Sequence, residues 1–305
     1  MQSASAVLMI RPAAFGFNET TAASNFFQKK SSLSAAEVQT KAAAEFDGVV
    51  KALRREKIDV EVFDDTAAPK KPDAVFPNNW VAFHLDGSLF LFPMEAPNRR
   101  PERRADIVGQ IQKHYRVTRV IDYSESESKG KFLEGTGSMV LDHLHHYIYA
   151  VISVRTDLSL LKRFAKEIGY SVFPFHAFDG RGAAIYHTNV MLSLGTNFAV
   201  VCFESITDLA ERKKIAETLG KSGRTIIEIT LAQVDQFVGN MLELTGKTGK
   251  KLVVMSDQAS RALTPKQRSL LEDSAKIISV AIPTIETVGG GSLRCMLAEI
   301  FLPPI

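Results

Sequence analysis

The chain has 305 residues, 45% of them hydrophobic and 23% charged, with a net charge of +3, which excludes a disordered or fibrous protein. So small a charge is weak for a surface that tracks phosphates and argues against a dedicated nucleic-acid binder. Two cysteines, Cys202 and Cys295, exclude a disulfide framework and a Cys-rich zinc module. No apolar run reaches membrane-spanning length. The opening MQSASAVLMIRP lacks a basic start, and its apolar stretch of about six residues is too short for a secretion signal. The expectation is a soluble protein of the reducing cytoplasm, with no membrane partner.

The chain opens on an apolar strand, AVLMIRP (6–12). Helical periodicity follows over 34–56, where Ser34 and Glu37 have the spacing of a capping box, and then a β-branched strand over 58–63. From there one pattern recurs: two short apolar runs around a polar turn, which make a hairpin, then a helix, then a strand. Hairpins read at 76–93, 133–150, 186–203 and 237–256, with an unfinished one at 290–303. Helices read at 99–115, 157–168, 207–220 (capped by Thr207) and 265–275 (with Pro265 in the first turn). Strands follow them at 116–122, 170–175, 224–229 and 276–282. Asn79, Gly137, Asn189, Asn240 and Cys295 are equivalent anchors, recurring every 51 to 58 residues. No unit can bury its own apolar face. The repeat therefore predicts an α/β fold of five ββαβ units in a ring around a shared axis, with strand 6–12 completing the last hairpin. No linker interrupts the pattern, so residues 1–305 read as one domain.

Glu134, His187 and Cys295 fall at or near the anchors, at the starts of hairpin strands in three different units. A ring would bring them to one end of the axis. A thiol with an imidazole in reach is the arrangement for covalent catalysis, with a carboxylate to orient the reacting groups and an imidazolium to favour the thiolate. Cys202, inside FAVVCF, reads as a small buried hydrophobe. His143, His145 and His146 sit at a hairpin tip with no spacing to further ligands, so they read as an exposed turn rather than a metal site. The Gly289–Gly291 run lacks a phosphate-loop pattern and reads as a place where backbone approaches a substrate or a loop moves. The run from Arg99 to Arg104 reads as a solvated helix start, with the alternative that one of its arginines meets substrate.

The motifs EGTG (134–137), YHTN (186–189) and GGGSLRCM (289–296) on five such units resemble the guanidino-group-modifying superfamily, the penteins, whose fold is a five-bladed α/β-propeller. Arginine deiminase, agmatine deiminase, dimethylarginine hydrolase and glycine amidinotransferase belong to it. The segments PDAVFPNNW and YHTNVML are most similar to its citrulline-hydrolysing branch, the citrulline ureidases. The resemblance implies Cys295 as nucleophile, His187 as general acid/base and Glu134 as the carboxylate that orients substrate, with no cofactor or metal. Arginine-handling members carry aspartates where this chain has Asn79 and Asn189. A guanidinium is a permanent cation with donors only, whereas a ureido group is neutral and carries an acceptor oxygen. Two asparagines suit the latter. The implied reaction is hydrolysis of L-citrulline to L-ornithine, ammonia and carbon dioxide, with Asn78 beside Asn79 as a further contact. Arg181, Arg294 and Arg11 are candidates for the substrate carboxylate. The alternatives are an arginine deiminase or amidinotransferase and, from another class, a non-catalytic ribosome-binding pentein.

Overall fold

A computed structural model describes residues 1–305. Strand β1 (Ala6–Arg11) leads through a long loop into helix α1 (Ala35–Arg55), which returns the chain to β2 (Asp59–Asp64). The hairpin β3 (Val81–Phe83) and β4 (Ser88–Leu91) is followed by a helix at Ala105–His114 and by β5 (Arg119–Asp122). The same order gives β6 (Val140–Asp142), β7 (Tyr147–Val151) and β8 (Ser171–Phe175), then β9 (Leu192–Leu194), β10 (Phe198–Val201) and β11 (Thr225–Glu228). It ends with β12 (Leu242–Thr245), β13 (Lys251–Ser256), β14 (Lys276–Val280) and a last short strand, β15 (Ala298–Ile300). In every unit the hairpin pairs antiparallel and its second strand pairs parallel with the strand after the helix, as in β9–β10–β11. The fifth unit is assembled from both chain ends: β15 pairs antiparallel with β1 (Ala6 opposite Ile300), and β1 pairs parallel with β2. A parallel contact of Ile300 with Phe83 joins this unit to the next, so the strands form one six-stranded and three three-stranded sheets rather than a closed barrel.

Helix ends follow their capping chemistry. Ser34 accepts from Glu37 N while the Glu37 side chain accepts from Ser34 N, and Thr264 does the same with Gln267 around Pro265. Two boundaries depart from the sequence expectation. Asp208, not Thr207, caps the helix Leu209–Gly220, because its carboxylate takes both Ala210 N and Glu211 N. The stretch expected as a helix over 99–115 is divided into a short helix at Pro97–Glu102 and a second at Ala105–His114, broken where Arg103 and Arg104 leave helical geometry. No helix is long and apolar enough to cross a membrane.

The feature that places the site lies just before each hairpin. There the chain makes a single helical turn, at Pro77–Asn79, Gly135–Ser138, Thr188–Val190 and Leu293–Met296, and a comparable turn over 235–239. The anchor residues sit on or next to these turns instead of at strand starts. The turns touch one another in order: Thr136 Oγ1 donates to Asn78 O (3.4 Å), Thr188 Oγ1 to Ser138 O, Asn240 Nδ2 to Asn189 O (3.0 Å) and Arg294 N to Asn240 Oδ1 (3.1 Å). The turn Leu293–Met296 in turn contacts Pro77–Asn79.

Candidate active site

Glu134 and His187 are the residues immediately before two of these turns, and Cys295 lies on a third. His187 Nε2 lies 2.9 Å from Glu134 Oε2. The other carboxylate oxygen of Glu134 accepts from Glu95 N at 3.0 Å, and Arg155 Nη1 stands 3.4 Å from Oε2. Burial alone would raise the Glu134 pKa, but Arg155, the His187 bond and Arg99 together hold it well below the usual carboxylate range. Burial lowers His187 to about 4, against the opposing pull of Glu134. The resting imidazole is therefore neutral, not the imidazolium expected to favour a thiolate. With Nε2–H committed to Glu134, Nδ1 is the free base, on the side facing Gly137. A Cβ at Gly137 would stand 2.8 Å from His187 Nδ1 and 2.4 Å from Asn79 Nδ2, so only glycine lets these two side chains approach this turn.

Cys295 is 6% exposed. Asn240 Nδ2 lies 3.3 Å from its sulfur and Asn189 Nδ2 3.6 Å, two amide donors for a sulfur that bears negative charge during reaction. His187, Asn79, Asp73, Arg155 and the glycine run line one cavity with Cys295. About 20 Å3 of it is open, room for one water. The loop between β1 and α1 closes it. Arg155 Nη2 donates to Ser24 Oγ (2.7 Å), Asn18 Nδ2 to Asp73 Oδ2 (2.7 Å) and Asn25 Nδ2 to Gly289 O (3.1 Å). Gly290 has φ +62°, and a Cβ there would lie 2.6 Å from Gln28 N, so the glycine run lets this loop lie directly on it.

The other residues singled out in the sequence divide sharply. Asn79 lines the cavity, with Oδ1 accepting from Arg99 Nη1 at 2.9 Å and Nδ2 buried without a partner. Asn189 stands at the sulfur with Oδ1 unpartnered. Asn78 is wholly buried next to the site but does not line the cavity. Arg181 is no carboxylate ligand of this cavity: it is bound to its neighbour Asp179 (2.6 Å), lies over the Phe26 ring and borders a separate surface hollow. Arg294 is also misplaced as a ligand. Successive residues of a 3-10 turn point about 120° apart, so while Cys295 faces the cavity Arg294 turns away, to Leu297 O and Glu299 (both 2.9 Å). Arg11 pairs with Asp47 at the surface.

Two local expectations hold only in part. His143 lies in the expected turn over 143–146, where Leu144 and His146 are exposed, but its own ring is half-buried: it packs against Phe301, bonds Tyr170 Oη at 2.9 Å, and burial holds its pKa down at about 3. The arginine run is not solvated throughout. Arg99 is 2% exposed and gives Nε and Nη2 to the two carboxylate oxygens of Glu102, both at 2.9 Å. Sequence reasoning also missed Asp73, Arg155 and Asn240. Asn240 was within reach, because it occupies an anchor position; Asp73 and Arg155 carry no repeat signal.

A family model described as N,N dimethylarginine dimethylhydrolase, eukaryotic, matches residues 11–302. The chain belongs to this family. It is thereby a member of the guanidino-group-modifying superfamily that its motifs resemble. No curated protein sequence matches the chain. Among solved structures it is similar to the arginine dihydrolase ArgZ of the cyanobacterial ornithine–ammonia cycle, at 16% identity and TM-score 0.74 over 96% of this chain and 40% of ArgZ. It spans 99% of the separately solved ArgZ N-terminal domain. A cysteine variant of AgrE, solved with L-arginine, is 17% identical with TM-score 0.76 over 98% of this chain and 40% of AgrE. The dimethylarginine hydrolase of Pseudomonas aeruginosa, solved as a cysteine variant with citrulline, is 14% identical with TM-score 0.63 over 97% of this chain and 99% of that one. At these identities the likeness is one of α/β fold.

Proposed function

We propose that the protein hydrolyses the ureido group of a free amino acid, with L-citrulline as substrate and L-ornithine, ammonia and carbon dioxide as products. The observation that carries this reading is a pair of buried, unpartnered amide atoms of opposite kind beside Cys295. Asn79 offers Nδ2, a donor, and Asn189 offers Oδ1, an acceptor, once its Nδ2 faces a thiolate. A ureido group has one carbonyl oxygen and N–H donors and satisfies both; a guanidinium has donors only and leaves Asn79 Nδ2 opposed. Leaving such a buried group unpaired costs about 1–3 kcal/mol.

In the proposed reaction Cys295 gives its proton to His187 Nδ1 as the sulfur attacks the ureido carbon, with Glu134 stabilising the imidazolium that forms. Charge developing on the ureido oxygen meets Asn79 Nδ2. The C–N bond breaks as His187 returns the proton to the departing nitrogen. Water, deprotonated by His187, then cleaves the S–C bond, and the carbamic acid released falls to amine and carbon dioxide. At the other end of the substrate, Arg155 replaces its Ser24 contact with the α-carboxylate, and the unpartnered Asp73 Oδ1 takes the α-ammonium. Admission requires the loop over 12–34 to lift, because the closed cavity holds only a water. We read the touching turns as the hub of a five-bladed ring about a pseudo-fivefold axis, and residues 1–305 as one catalytic domain working in the cytoplasm.

One observation favours a second reading, arginine as substrate: Asp73 adds a buried negative charge that the sequence did not show. Ammonia release from citrulline and arginine in the wild type and in Asn79→Asp/Asn189→Asp decides between them. The citrulline reading expects the double variant to shift the ratio of kcat/KM at least about tenfold toward arginine, 1.4 kcal/mol. An unchanged ratio removes the asparagines as the basis of charge preference.

A further inference from the structure

The donor that Asn79 presents is not an intrinsic property of asparagine. A side-chain amide turned by 180° exchanges its NH2 and its oxygen at almost no steric cost, and would present an acceptor to the cavity. What prevents this is Arg99, which lines the same cavity beside Asn79. Arg99 Nη1 lies 2.9 Å from the Asn79 amide, and a guanidinium only donates, so the atom facing it must be Oδ1. Arg99 is itself immobilised. Nε and Nη2 bind both oxygens of Glu102 in a two-pronged pair, all of it buried: Arg99 is 3% and Glu102 1% exposed at the side chain. Asp73 stands 3.7 Å from Nε and Glu134 4.0 Å from Nη1, which keeps the guanidinium on this spot.

We infer that Arg99, clamped by Glu102, is a positioning residue that fixes the hydrogen-bond polarity of Asn79 and thereby makes the site select a carbonyl-bearing ureido group over a guanidinium. This rests on the proposed ureido reading. It differs from a role in holding the substrate's α-carboxylate, because citrulline and arginine share that carboxylate. An arginine that merely held it would affect both substrates alike.

The experiment measures kcat/KM for citrulline and for arginine in the wild type and three variants. Arg99→Met combined with Glu102→Met removes both charges of the buried pair, which avoids stranding one of them. It should lower the citrulline-to-arginine ratio at least about tenfold, with the loss falling on citrulline. Glu102→Gln keeps Arg99 but loosens it, and should lower the ratio at least about threefold. It decides the matter if the double variant does not fold. Arg99→Lys remains donor-only and should hold the ratio within about twofold of wild type, whatever happens to the absolute rates. The inference is overturned if the ratio stays at the wild-type value in the folded pair-disrupting variants, or if Arg99→Lys collapses it as far as they do. A wild type that prefers arginine overturns the ureido reading itself and this inference with it; a wild type that prefers citrulline while the variants keep its ratio overturns the inference alone.

Discussion

At the scale of single residues, the division of labour rests on what each side chain's surroundings leave free. Cys295 faces the cavity with amide donors at its sulfur, while Cys202 is sealed in the core and burial pushes its thiol up to about 11. Cys295→Ala should therefore reduce turnover by roughly four orders of magnitude with an unchanged melting curve. Cys202→Ala should leave turnover within about twofold. Iodoacetamide should label Cys295 alone, and retained activity in Cys295→Ala would end the covalent account. The acid limb of kcat/KM follows from His187. Its base form persists down to its lowered pKa of about 4, so activity should hold through the region near 6.5 where an ordinary histidine fails. A limb centred on 6.5 would mean that another group is the base. The residues legible beforehand were those on the repeat: Glu134, His187, Cys295, Asn79 and Asn189. Arg99 was misread because a run of charges gives no sign that its first member turns inward to meet Glu102. Arg181, Arg294 and Arg11 offered the right charge for a carboxylate, but charge alone says nothing about direction, and each is taken up by partners away from Cys295.

Among the elements, β1 carries most of the burden of joining the chain ends. It lies between β15 and β2, and Val7, Leu8 and Met9 are wholly buried. Each such side chain is worth about 1.5–3 kcal/mol, so deleting residues 1–12 should cost more than half of a typical stability of roughly 5–15 kcal/mol. Thermal unfolding checks this; a truncated protein that melts with the full-length one would show that the last unit stands without β1. The hairpins and helices were readable because their periods of 2 and 3.6 are written in apolar positions. The single turns that hold the site were not. They are too short to carry a period, and they exist because neighbouring units bond them, as Asn240 does to Asn189 O and Arg294 N. For the same reason the burial of His143 was invisible: Phe301 covers it from the far end of the chain.

For the molecule as a whole, the buried charges link stability to pH in opposing ways. Burial takes His187 from 6.5 down to about 4, so between those values the unfolded chain holds a proton that the folded one lacks, and stability falls as pH drops from 6.5 toward 4. Glu134, held low, adds to the same loss below its ordinary 4.5. Glu102 acts the other way. Burial raises its pKa against the pull of Arg99, so whatever stability its protonation adds is lost as pH rises above the usual carboxylate range. Replacing His187 by Asn should flatten the fall in urea midpoint between pH 6.5 and 4.5 relative to wild type; parallel curves would show that His187 does not titrate with folding. On the ureido reading, Asn79, its polarity fixed by Arg99, faces a cavity also lined by Asp73 and Arg155 and makes the protein turn over a neutral ureido group in preference to a guanidinium. The most direct test is ammonia release by the wild-type protein from citrulline and from arginine under the same conditions. A ureido-selective site should give a kcat/KM for citrulline at least about a hundredfold above that for arginine, equivalent to roughly 2.7 kcal/mol of discrimination. Equal values, or a preference for arginine, would contradict it.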